Sequence, residues 1–522
     1  MAGQKSIILI HPPVCVAAGA PAGVARLAGY LRAAGVYCTV IDLNIEAIMH
    51  LAARELSAND TWTRRAAARA DKNLAALRSP RLYADVDRYK RAVADINRIL
   101  HMAGREKGVH LSLSNYGEDR RQPVRSRDLA SAANDFKDNL FYPFFKKRLA
   151  EAFAPRMPDI VGISVNFMSQ AICASAIAGF IRRRFPAARI VFGGSLVTSW
   201  MKIPGVSNPL QGIADDMIPG PGELPLGAMC GALPRSLQPE DASTGVPYDF
   251  ASLDPDRYLS PLRVLSVSAS QGCYWRRCAF CPESAERNPY RPYRPETVAG
   301  ILNGPAVHEP GGALVHFTDN ALSPRFMKYL TDHPPGLPWY GFARITRHLA
   351  DTGFVEGLAA SGCVMLQLGI ESGDQTVLDA MGKGTTVAAM SKALATVKAA
   401  GISVYGYLLF GTPPENEKCA MKTKAFVLAH AGYIDFLNLA VFNLPAQARL
   451  AKSLETRPFY HGDLSLYREF VHPLGWDRHR VRVFLEKSFK ADATIRKIVN
   501  SDPPFFTSSH APFFQLFSSD AG

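Results

Sequence analysis

Residues 268–284 read SASQGCYWRRCAFCPES and hold Cys273, Cys278 and Cys281, three of only nine cysteines in a chain of 522 residues. The run opens at Gly272, directly after the strand candidate RVLSVSAS (263–270). Three thiolates are one short of the four ligands that a closed structural zinc site takes. They also suit an iron–sulfur cluster that leaves one iron to a ligand from outside the protein. Zinc sites favour C-x2-C pairs or added histidines, and here only Cys278 and Cys281 have that spacing. Both readings stay open on the cysteines alone.

Downstream of the cysteines, strand candidates recur: ALVHFTDN, WYGFAR, VMLQLGIES, VYGYLLFG and IDFLNLAVF, most of them separated by helical stretches such as TTVAAMSKALATVKAAGI. Counting RVLSVSAS, six such units predict a partial (β/α)6 barrel over 258–450, with functional residues at the C-terminal ends of its strands. Residues 451–522 mix helices with aromatic loops (DPPFFTSSHAPFF) and predict a C-terminal α/loop cap.

Upstream, residues 1–240 also alternate. KSIILIHPP, YCTVIDLN, DIVGISVNF and RIVFGGS read as strands, AGVARLAGYLRAAGV and SQAICASAIAGFIRRRF as helices, and DDMIPGPGELPL as a short strand, turn and helix. This predicts an α/β, doubly wound, Rossmann-like parallel sheet. A polar, helical stretch over about 45–150 reads as an insertion, and a Pro/Ser/Asp-dense linker over 233–261 holds the boundary to the barrel. Ligands meet such sheets at the carboxyl ends of the strands. Those ends are His11–Gly23, Ser164–Gln170, Gly193–Ser195 and Gly220–Glu223, rich enough in small residues for a large flat ligand to approach the backbone.

The charge pattern narrows the partners. The net charge is +13 and the pI about 9.3, much of it in helix-like pieces such as FIRRRF and WDRHRVRVFLEKSFK. Solvated helix faces are the plain reading of it, and attraction for an anionic small molecule is the sharper alternative. No RNA-binding signature is present, so nucleic acid is not expected as a partner. No apolar run approaches the roughly 18–20 residues of a membrane span, so no membrane partner is expected either. The N-terminal MAGQKSIILIHPP reads as a first strand and not as a signal peptide. Nine scattered cysteines point to a reducing cytoplasm rather than a disulfide framework.

With these motifs in order, the chain resembles the radical SAM superfamily, and within it the cobalamin-binding branch. The usual spacing there is C-x3-C-x2-C with an aromatic before the last cysteine. Cys278-Ala279-Phe280-Cys281 fits, whereas CYWRRC is one residue longer than C-x3-C. HFTDN resembles the second-strand segment near the SAM amino group (Asp319, Asn320). YGFARIT places Arg344 where it could pair with a carboxylate. QLGIES resembles the strand that brings Gly369 and Glu371 to the SAM pocket. YLLFGTPPEN resembles the segment whose backbone lies against adenine, from Gly406 through Gly411 to Glu415. The N-terminal segments resemble the cobalamin-binding domain of that branch, with Ser164, Gly193, Gly194, Gly220 and Glu223 on its ligand-facing loops. The D-x-H-x-x-G motif that supplies a cobalt-ligating histidine elsewhere is absent, and His11 is read as an ordinary loop residue.

The resemblance implies a 4Fe–4S cluster on Cys273, Cys278 and Cys281, S-adenosylmethionine and cobalamin as cofactors. It implies a 5′-deoxyadenosyl radical and methylcobalamin in the C-methylation of a small molecule at an unactivated carbon. An external electron donor such as flavodoxin or ferredoxin is implied as well. Cyclisation or rearrangement without methyl transfer, and a cobalamin-free radical SAM enzyme acting on RNA or a peptide, are the rival enzyme readings. A metal-binding recruitment module and a redox sensor are the others. Tyr274, Trp275, Arg276 and Arg277 flank the cluster or fill the contact between loop and barrel, and Cys363 reads as buried structure.

Overall fold

The computed structural model describes residues 5–54, 60–232, 247–304 and 311–517. The chain divides into two compact units. One comprises residues 1–265 with 460–466 and 504–506, and the other 266–459 with 467–503 and 507–522. The stretch 233–246, where the end of the first α/β segment was expected, lies outside the described residues.

The first unit is built on a five-stranded sheet of β1 (Ile7–His11), β2 (Cys38–Asp42), β3 (Ile160–Ser164), β4 (Arg189–Gly193) and β5 (Asp216–Ile218), in the order β2-β1-β3-β4-β5. The strands pair in parallel throughout this sheet, with Ile7 opposite both Cys38 and Ile160. All five residues of β1 and of β3 are buried, as a parallel sheet covered on both faces requires. The helix Ala22–Ala33 covers one face, setting Val24, Ala28 and Leu31 against Ile7, Leu9 and Ile160. This strand order changes direction between β1 and β3. A doubly wound sheet opens its ligand crevice at such a point.

Residues 43–153 supply the helices expected of an insertion, the longest being Val86–Arg105. Its start is fixed by Asp85, whose Oδ1 accepts the Asp87 and Arg88 N–H groups at 3.0 Å each. Tyr89, Val93, Ile96 and Leu100 recur every three or four residues on its buried face. Within this stretch Val109–Leu111 and Tyr116–Glu118 pair as an antiparallel hairpin, which the helical reading did not anticipate. Strands of three residues are too short to display an alternating pattern.

A second, six-stranded sheet comprises β6 (Arg263–Val267), whose last two residues begin the second unit, and, wholly within that unit, β7 (Ala313–Leu322), β8 (Trp339–Ala343), β9 (Cys363–Glu371), β10 (Ser403–Phe410) and β11 (Phe436–Val441). Their order follows the chain from β6 to β11, and the pairs from β7 to β11 are parallel. Helices Pro324–Asp332, Thr352–Ala360, Val387–Ala399 and Glu417–Ala429 connect successive strands. The result is a curled parallel half-barrel. Helix Thr507–Leu516 belongs to the same unit, and no described helix is long and apolar enough to cross a membrane.

Candidate active site

The C-terminal ends of the half-barrel strands carry the chemistry-bearing residues. The cysteine loop follows β6, Arg344 follows β8, and β9 ends on Gly369 and Glu371. Asp319 of β7 secures the root of the cysteine loop. Its Oδ2 accepts the Ala269 N–H at 2.8 Å and its Oδ1 accepts the Ser270 hydroxyl at 2.5 Å. Burial pushes its carboxyl up to about 6. Both oxygens therefore serve the loop, and the neighbouring Asn320 is exposed.

The rest of the loop sits on residues 381–384, part of MGKGT. Ala279 N–H donates to the Met381 carbonyl at 2.9 Å, and Trp275 Nε1 donates to the Gly382 carbonyl at 3.0 Å. Gly384, at φ +69°, is where the Trp275 ring lands: a Cβ there would lie 2.1 Å from Cζ2. Arg276, inside the long CYWRRC gap, adopts φ +54°, a left-handed turn in the stretch that carries the extra residue. Phe280 packs with Val377, Met381 and Cys419, and the Lys383 ammonium lies 5.8 Å from its ring centre.

Burial pushes the Cys278 thiol up, while the charges of Lys383 and Arg344 oppose that shift. Burial carries the Cys281 thiol up to about 11, and Cys278 and Cys273 add to the rise, so the three sulfurs share one neighbourhood. Among the described residues no three His, Cys, Asp or Glu side chains converge on a single-ion site. Thiolates on one zinc ion must converge, each at about 2.3 Å. Thiolates that each take a different iron of a cluster need not.

Two cations stand beside the thiols. Lys383 Nζ pairs with Glu371 Oε1 at 2.7 Å, and both atoms occupy the space over Gly369, where a Cβ would come within 2.6 Å of each. Glu371 holds φ +62°, a left-handed conformation that costs a non-glycine residue about 1–3 kcal/mol. Arg344 meets no carboxylate among the described residues. It donates to Cys278 Sγ at 3.5 Å and to the Lys383 carbonyl, and it stacks on Trp275. Lys383 and its flanking glycines were missed in the sequence. A Gly-Lys-Gly run after a short helix was the available signal.

Gly406 and Gly411 are closely packed. A Cβ on Gly406 would stand 3.0 Å from Ile370 Cδ1, and one on Gly411 would stand 3.2 Å from Val481 Cγ2. Gly411 N–H donates to the Glu415 carboxylate, which also accepts Trp476 Nε1 at 3.1 Å. Burial raises Glu415 to about 7.

The other predicted residues lie at the strand ends of the first unit. Gln170 is fully buried and stitches β1 to β3. Its Oε1 accepts the Asn166 and Phe167 N–H groups at 2.9 and 3.1 Å, and its Nε2 donates to the Pro12 carbonyl at 2.8 Å. Asn166 donates to Ser164 Oγ at 3.2 Å and accepts the Ser195 N–H at 3.0 Å, tying β3 to β4. Gly194 has φ +104° and ψ 172°, a conformation open essentially to glycine alone, and a Cβ there would meet the Val165 carbonyl oxygen at 2.4 Å. Gly220 N–H donates to Thr198 Oγ1 at 2.8 Å, and a Cβ on Gly220 would meet nothing within 4 Å. The Glu223 carboxylate pairs with Arg26 at 2.5 Å. His11 Nε2 lies 3.1 Å from Cys15 Sγ, and burial lowers its basicity. Phe167 and Val16 remain exposed beside these loops.

Residues 267–427 match the radical SAM superfamily. No curated protein matches the chain in sequence. Among solved structures, the cobalamin-dependent S-adenosylmethionine radical enzyme OxsB with aqua-cobalamin bound is similar at 13% identity and TM-score 0.57, over 93% of this chain and 67% of that one. OxsB with aqua-cobalamin and S-adenosylmethionine bound is similar at 14% identity and TM-score 0.50, over 81% of this chain. The chain spans 52% of the length of that structure. The radical S-adenosylmethionine methyltransferase TsrM from Kitasatospora setae, with tryptophan substrate and a SAM analog bound, is similar at 15% identity and TM-score 0.54, over 95% of this chain and 89% of that one. At these identities the likeness is one of fold.

Proposed function

This chain belongs to the radical SAM superfamily and shares the fold of its cobalamin-dependent enzymes, and on that premise we propose that it methylates an unactivated carbon of a small molecule. When bound, the cluster and SAM supply a 5′-deoxyadenosyl radical and cobalamin supplies the methyl group. The observation that carries the reading is the barrel mouth itself, where three neighbouring thiols stand beside two buried cations and a carboxylate.

Each residue has a task in this reading. Cys273, Cys278 and Cys281 would hold the cluster, and the Trp275 seat on Gly384 orders their loop. Lys383 and Glu371 carry opposite charges complementary to the carboxylate and ammonium of SAM. Their own pairing at 2.7 Å keeps both charges satisfied until SAM replaces it. Phe280 provides an apolar wall beside them. In the first unit, the loops after β1, β3, β4 and β5 present backbone, glycines and the exposed Phe167, a surface suited to a broad flat corrin. An external donor such as flavodoxin or ferredoxin would deliver the electron, and a reducing cytoplasm would suit the thiols.

Anaerobic reconstitution tests the first half: about four irons per chain and reductive SAM cleavage are expected, and a protein without iron overturns the reading. Retention of about one equivalent of hydroxocobalamin tests the second half. With SAM labelled on its methyl carbon, label in the product supports methyl transfer. 5′-Deoxyadenosine formed without labelled product points to the cyclisation or rearrangement reading.

A further inference from the structure

Arg344 is 7% exposed, and its contacts among the described residues are to sulfur, a carbonyl, an indole ring and the Tyr274 hydroxyl, none of them a carboxylate. Nη1 donates to Cys278 Sγ at 3.5 Å, Nη2 donates to the Lys383 carbonyl, the Trp275 ring centre lies 4.3 Å from Cζ, and Nε has no partner. The nearby carboxylate, Glu371, is engaged by Lys383. A buried cation without an anion carries an uncompensated desolvation penalty. We propose that the missing anion is the metal-bound Cys278 thiolate, and that Arg344 is a positioning residue that raises the reduction potential of the cluster on Cys273, Cys278 and Cys281. The inference rests on the cluster assignment above and goes beyond it.

The physical reason is a difference between two charge states. On reduction one electron enters from a low-potential donor of the flavodoxin or ferredoxin class, and no bond forms or breaks. The three thiolates already outweigh the positive charge of the iron–sulfur core, so the electron enlarges a negative charge in contact with a fixed cation. A hydrogen bond to a ligand sulfur and a nearby positive charge both favour the reduced form. Lys383 contributes less, because Glu371 offsets its charge. Trp275, tied at Nε1 to the Gly382 carbonyl, keeps the guanidinium plane in place.

The test is the midpoint potential of the reconstituted cluster, measured without SAM in the full chain, for wild type, Arg344→Met and Arg344→Lys, with iron counted in each. Arg344→Met should make reduction at least ten-fold less favourable, about 59 mV more negative for one electron. Arg344→Lys keeps the charge but loses the fork, and should fall between the two. Potentials equal to wild type in both variants, with full iron, overturn the proposal. Should Arg344→Met lose its iron, Arg344→Lys decides: a more negative potential sustains the proposal, and an unchanged one refutes it. Wild type that binds no iron fails the cluster assignment instead, so the two failures are distinguishable.

Discussion

At the barrel mouth, Arg344 and the Lys383–Glu371 pair hold full charges beside three thiols. At the strand ends of the five-stranded sheet, by contrast, Gln170, Asn166 and Ser164 bond to the loops that carry them, and Glu223 is neutralised by Arg26. On the proposed function, the first region keeps charge for ligands that bring charge. The second presents backbone and small residues, which recognise shape. Both are C-terminal strand ends of parallel sheets, so fold alone does not set their chemistry. The side chains placed at each set of strand ends do.

The contrast breaks most completely if the thiols are dispensable. Cys273→Ala, Cys278→Ala or Cys281→Ala should each abolish reductive SAM cleavage in anaerobic assays while leaving hydroxocobalamin retention near wild type. A variant that keeps full cleavage removes its residue from the ligand set.

Gly369→Ala probes the charged region more gently. The added Cβ displaces the flexible ends of Glu371 and Lys383, so iron content should hold while the KM for SAM rises roughly ten-fold, the loss of about one charge-assisted contact. An unchanged KM would detach the ion pair from SAM binding.

Gly194→Ala does the same for the neutral region. Its left-handed backbone and the Val165 carbonyl oxygen leave no room for a methyl, so unfolding should become easier by about 1–3 kcal/mol. Corrin retention should weaken and iron content should not. If both cofactors are lost together, the two regions are not independent.

A further effect concerns pH. Glu415 is raised from 4.5 to about 7, so the folded chain holds a proton that the unfolded chain has released. Its contribution to stability is present below about 4.5 and falls as pH rises toward 7. Glu415→Gln should flatten the slope of denaturant stability across that window. An unchanged slope would assign it to other groups, such as Asp319, raised to about 6.

Much of the fold was legible along the chain. Ile7–His11 and Ile160–Ser164 are unbroken apolar runs because both faces of a parallel sheet are covered, and the strands after the cysteines recur at the intervals of a barrel. The hairpin at 109–118 was hidden by its brevity. The candidate site was only partly readable. Asp319 and Glu223 stood out as acidic residues at strand ends. Which carboxylate anchors a loop, which joins an arginine and which faces a ligand depends on neighbours far away in sequence.

The sequence by itself determined the class of the molecule: two parallel α/β sheets and a run of three cysteines after the first barrel strand. Both are local patterns, set by the period of buried residues and the reach of one loop. Only the tertiary structure decided that Lys383 crosses Gly369 to meet Glu371, and that Trp275 lands on Gly384. It alone turned Arg344 toward Cys278. Those contacts join residues from separate strands and loops, and charge and packing act through distance in space, which sequence spacing does not record.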